Sequence, residues 1–138
     1  MTTAPSTEPT ESPEAEPPVL VVGYSPKPEG RAALNWAVNE ARLRNGRLIV
    51  VHTLEPGQVG DLTAQLEQSG LPYEVRGDEH SLDPAEDLLT AAETSGAQFI
   101  VIGLRKRSAV GKLLLGSNAQ RVLLDASCPV MAVKTDPH

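Results

Sequence analysis

The stretch VLVVGYSPKPEGRAALNWAVNEARLRNGRLIVVHT, residues 19–53, decides the fold. Val19–Tyr24 is a continuous apolar run rich in β-branched side chains, the pattern of a strand covered on both faces. Ser25-Pro26-Lys27-Pro28 ends it. Pro28 suits the first turn of a helix, where its missing N–H costs nothing, and Glu29 then lies at the positive end of the helix dipole. Ala33, Trp36, Ala37, Glu40 and Ala41 follow helical spacing, and Asn45-Gly46 supplies a stop. Leu48–Val51 centres a second buried strand. Strand, helix and strand in this order predict a right-handed crossover between parallel neighbours.

The same alternation continues toward the C-terminus. Leu62 and Leu66 predict one short helix, and Pro72–Arg76 a brief strand. Asp83-Pro84-Ala85-Glu86 is a helix-start signature, with Asp as cap, Pro first and Glu three residues after the cap. The helix it opens carries Leu88, Leu89 and Ala92. Gln98–Gly103 predicts a third apolar strand. Ser117-Asn118-Ala119-Gln120 reads as a Ser-x-x-Gln capping box, with Ala119, Val122 and Leu123 on the apolar side of its helix. Pro129–Lys134 predicts a closing strand. Five strands and four helices predict one α/β domain over residues 19–135. Its expected form is a doubly wound, five-stranded parallel sheet with helices on both faces. Ligands of such sheets sit beyond the C-terminal strand ends, where the winding reverses. Tyr24-Ser25, His52-Thr53 and Ile102-Gly103 occupy such ends.

Composition narrows the function classes. The 138 residues are 40% hydrophobic but only 3% aromatic, so Val, Leu, Ile and Ala must build the core. A formal net charge of −6 argues against nucleic acid, whose binders present a basic face to phosphates. Residues 1–18 hold five prolines, four glutamates and no cation, and are expected to form a disordered tail. The rest of the chain is nearly balanced in charge. One cysteine, Cys128, allows no internal disulfide and no Cys-rich metal site, which fits a reducing compartment. No apolar run approaches the roughly 20 residues of a membrane-spanning helix. The N-terminus lacks the basic start and apolar segment of a secretory leader. The expected location is cytoplasmic, with no membrane partner.

Two phosphate-binding patterns fail in the segment GLRKRSAVGKLLLGSN, residues 103–118. Gly111-Lys112 resembles the end of a Walker A loop, but Leu113 replaces the Ser or Thr that would hold magnesium. The glycine expected five positions before Gly111 is Lys106. No Gly-x-Gly-x-x-Gly follows the first strand either. What remains is Gly103 at a strand end and Gly116-Ser117 at a helix start. Gly103 would let the backbone turn and approach a ligand, and Gly116 leads into free backbone N–H groups at a positive helix end. Gly116-Ser117 can equally be an ordinary cap. Arg105, Lys106, Arg107 and Lys112 concentrate positive charge here, either to attract an anion or as a solvated surface.

With these residues in view, the chain from Val19 to Lys134 resembles the universal stress proteins, many of which bind ATP or AMP. The family's motif is Gly, two residues, Gly, nine residues, then Gly and Ser or Thr. Gly103 and Gly116-Ser117 match it in spacing, while Ala33-Leu34 on the first helix and the closing Ser127–Lys134 resemble other parts of the family. The resemblance implies a Rossmann-like fold of the adenine nucleotide alpha hydrolase type. It further implies a stress-response protein that binds ATP, AMP or cyclic AMP without marked catalysis. The implied nucleotide-binding residues are Tyr24, Ser25, Thr53, Ile102, Gly103, Arg105, Lys106, Gly116, Ser117 and Asn118. The base is expected near Tyr24-Ser25 and Thr53, the phosphates over Gly103, Lys106 and Gly116–Asn118. A homodimer through the C-terminal strand, Val130–Val133, is also implied. Two positions depart from the family. Ser25 stands where binding members carry Asp, and Lys106 stands at the middle glycine, as a cation for phosphate or as a plug. These departures motivate an alternative, a dimeric interaction module that has lost nucleotide binding. ATP hydrolysis lacks a general base or magnesium carboxylate in this reading.

Other residues have structural readings. His52 ends a strand without a neighbouring Cys or second His, so no metal is expected. Asp83 and Glu86 are explained by capping, and Cys128 by a small buried hydrophobe.

Overall fold

The computed structural model describes residues 16–77, 80–105 and 116–135. Most of the tail, Asp78, and the loop holding Lys106, Arg107 and Gly111-Lys112 lie outside these described residues. The elements are β1 (Val19–Tyr24), α1 (Pro28–Arg44), β2 (Arg47–His52), α2 (Pro56–Ser69), β3 (Tyr73–Arg76), α3 (Pro84–Ser95), β4 (Phe99–Arg105), α4 (Ser117–Asp125) and β5 (Val130–Thr135). All strand pairs are parallel, in the order β3-β2-β1-β4-β5. The winding therefore reverses between β1 and β4.

The two-residue period of the strands divides the apolar runs between two cores. Leu20, Val22, Leu48, Val50 and Val101 face α1 and α2, where they meet Leu34, Ala37, Leu62 and Leu66. Val21, Ile49, Ile100, Ile102 and Leu104 face the other way, against Leu88, Ala91 and Val122 of α3 and α4. Helix α1 rests on the sheet through Ala33, Ala37 and Ala41, each fully buried, and these small side chains let its axis approach closely. Asn45 ends it in the left-handed conformation (φ 54°), the stop expected of Asn45-Gly46. Trp36 packs edge-on against Phe99, whose ring also lies under the Arg44 guanidinium at 4.7 Å.

Three expectations are corrected. Helix α2 is a full helix of 14 residues, not a short one. Glu55 and Gln58 form a reciprocal capping box around Pro56, and Gly70 closes the helix in the left-handed region (φ 74°). Its apolar signal was thin because only Leu62 and Leu66 are fully buried on it. Strand β4 runs past Gly103 to Arg105, because pairing with β5 continues from Ile100–Val130 to Arg105–Thr135. The backbone therefore does not turn at Gly103. Finally, Gly116 rather than Ser117 is the cap of α4. Gly116 is extended (φ −66°, ψ 164°), Gln120 N–H donates to its carbonyl, and no side chain among the described residues caps the end.

Candidate functional site

The carboxyl ends of β1 and β4 part where the winding reverses, and a cleft of about 550 Å³ opens there. Tyr24 and Ser25 line it from the end of β1, and His52 and Thr53 from the end of β2. Ile102, Gly103 and Arg105 come from β4, and Gly116 and Asn118 from the start of α4. The structure thus brings most of the expected binding residues together. Ser117 is exposed at the first position of α4 and is not among the lining residues. Lys106 lies outside the described residues.

Each wall has a local cause. A Cβ built on Gly23 would meet Leu88 Cδ1 at 3.2 Å, so glycine in β1 makes room for this α3 side chain as an apolar wall. The β1–α1 loop folds onto the helix it precedes. A Cβ on Gly30 would lie 2.3 Å from Ser25 Oγ and 2.4 Å from its backbone nitrogen. Ser25 is therefore held against the first turn of α1. Gly103 is required by packing: a Cβ there would lie 1.9 Å from the Glu29 carbonyl oxygen and 2.5 Å from its carbon. The glycine seats the first turn of α1 directly on β4. The sequence reading gave Gly103 to ligand approach alone; its first partner is the protein's own backbone. At Gly116, by contrast, a Cβ would meet nothing within 4 Å among the described residues, and the glycine lines the cleft.

His52 is buried, and its Nδ1 accepts the Leu54 N–H at 2.9 Å, a bond that fixes the ring in the β2–α2 turn. Among the described residues no cluster of three His, Cys, Asp or Glu side chains could hold a metal ion. Helix α4 is tied to α3 by Arg121, whose guanidinium meets Asp83 at 2.6 Å and also bonds Glu86. Asp83 additionally accepts the Glu86 N–H at 3.1 Å, the cap foreseen in the sequence. Arg121 and this N–H hold the Asp83 carboxyl below the usual carboxylate range. The bridge links the middle of α4 to the start of α3. Burial raises the Cys128 thiol, consistent with an inert side chain.

The sequence reading missed Glu29 as an acidic residue lining the cleft. Glu29 lines the cleft from the second position of α1, and its Oε1 is buried with no hydrogen-bond partner among the described residues. The helix-dipole argument explained its residue type without revealing that the first turn of α1 overlies β4. A separate hollow of about 650 Å³ lies between β3 and α3, lined by Arg76, Ser81 and Asp87 among others. Ser81 and Asp87 hydrogen-bond each other there, and Arg76 pairs with Glu74 on its own strand at 2.5 Å.

The profile of the universal stress protein family matches residues 18–79 and 60–134. The chain belongs to this family. A universal stress protein from Mycolicibacterium smegmatis is 44% identical over 131 residues, spanning 87% of this chain and 98% of that protein. The universal stress protein structure from Archaeoglobus fulgidus superposes with a TM-score of 0.66 at 32% identity, over 85% of this chain and 98% of the other. An Archaeoglobus fulgidus universal stress protein in complex with dAMP gives a TM-score of 0.60 at 26% identity, over 85% and 97% of the two chains. No helix among the described residues is long and apolar enough to cross a membrane.

Proposed function

We propose that this family member binds an adenine nucleotide, without marked catalysis, in the cleft between β1 and β4. The observation that carries the reading is the open N-terminus of α4. Among the described residues nothing crowds the Cβ side of Gly116 and no side chain caps the helix, and the first backbone N–H groups and positive dipole end adjoin the cleft. Phosphates are assigned to Gly116, Ser117 and Asn118, with Arg105 beside them and Lys106 as a further cation. The base is assigned to Tyr24, Ser25 and Thr53, against Ile102 and the Leu88 wall. The dAMP complex of the Archaeoglobus relative supports the ligand class. A cytoplasmic location fits the composition, and residues 19–135 then form the binding domain behind an acidic tail. Isothermal titration with ATP, AMP and cyclic AMP tests the reading. Saturable heat with at least one of them is expected, and none at millimolar ligand would overturn it.

A second reading rests on β5, an edge strand with Val130, Met131, Ala132 and Val133 only partly buried. Such an edge can pair with its copy across a two-fold axis and make the protein a homodimer. Sedimentation as a monomer at micromolar concentration would contradict it.

A further inference from the structure

The chain lacks an acid at Ser25, yet it carries one in the cleft. Glu29 is fixed there by the contact of its backbone with Gly103, so its side chain starts from a defined point above β4. Its Oε1 is buried without a hydrogen-bond partner among the described residues. A buried carboxylate oxygen is costly unless a donor meets it, and Glu29 is one of the residues that line the cleft.

The strand order says which part of the ligand that donor belongs to. In a nucleotide the sugar lies between base and phosphate. The assigned base contacts sit at the ends of β1 and β2, and the assigned phosphate contacts at the start of α4 beyond β4. The sugar must cross the gap between β1 and β4, beside Gly103 and Glu29. A carboxylate accepts hydroxyl hydrogens and repels phosphate, so it suits the sugar at this place and steers the phosphates toward Gly116.

We propose that Glu29 is the acceptor for the sugar hydroxyls of the bound nucleotide, and so determines its specificity for ribose over sugars without these hydroxyls. This rests on the nucleotide-binding reading given above. The test compares AMP with 2′,3′-dideoxy-AMP by calorimetry, on the full-length protein and on Glu29→Gln. The unaltered protein is expected to prefer AMP by about tenfold, the scale of one hydrogen bond to a charged acceptor. Glu29→Gln should bind AMP about tenfold more weakly and lose most of the preference. Equal binding of both ligands by the unaltered protein overturns the inference, as does a variant that keeps the full preference. If the unaltered protein binds neither ligand, the nucleotide reading itself falls and this inference with it. The comparison on the unaltered protein needs no variant to fold.

Discussion

Gly103→Ala separates packing from ligand approach. The added Cβ would stand 1.9 Å from the Glu29 carbonyl oxygen, 2.5 Å from its carbon and 3.0 Å from its Cβ. Two of these atoms are backbone, so no rotamer change relieves the clash. The first turn of α1 must lift from β4, disturbing the contacts that Leu34 and Ala37 make below it. Overpacking of this kind costs about 2 kcal/mol, which for a domain of this size lowers Tm by roughly 6–12 °C. Thermal unfolding followed by circular dichroism, without ligand, is the assay. Gly116→Ala is the control, because its Cβ meets nothing within 4 Å among the described residues and its φ of −66° suits alanine. Its poorer capping and its reduced unfolded-state entropy offset to within about 1 kcal/mol. A Gly103→Ala protein that melts with the unaltered chain would refute the packing argument.

Other outcomes follow from the same contacts. Gly77 has φ +109° and would place a Cβ 2.0 Å from the His52 carbonyl oxygen, so Gly77→Ala should cost about 2 kcal/mol in urea unfolding. Ser117→Ala should change stability by less than about 0.5 kcal/mol, because Gly116 is the cap and no side-chain cap bond is lost. Asp83→Ala should lower Tm more than Asp83→Asn, which keeps an acceptor for the Glu86 N–H. The Asp83 carboxyl is held below its usual range, so its contribution is complete above that range and fades as pH falls through the lowered value. Melting curves of the unaltered chain and Asp83→Ala should therefore converge in acid; a constant difference would contradict the ion pair.

Much of the fold was legible because both sheet faces are covered. The runs at Val19–Tyr24, Leu48–Val51 and Phe99–Ile102 need no alternation to be read as strands, and Asn45 and Asp83 mark helix ends chemically. Helix α2 was under-read because its clearest signals lie at its ends, Glu55, Gln58 and Gly70, while its fully buried apolar residues are only Leu62 and Leu66. The site was legible as a set of strand ends but not as a set of roles. That Gly103 serves α1 packing depends on Glu29, more than 70 positions away in the chain. That Glu29 enters the cleft depends on how close α1 lies to β4. Spacing along the chain holds neither fact. Ser117 looked like a cap because Ser-x-x-Gln is a capping pattern; the extended residue is one position earlier, and the helix begins there.

An amide-resolved NMR titration of the full-length protein with AMP tests the central claim most directly. The largest shifts are expected on the amides of Gly116, Ser117 and Asn118, with a second group at Ser25, Thr53 and Gly103. Shifts confined to other surfaces, such as β5 or the hollow beside Arg76, or no shifts at millimolar AMP, would contradict it.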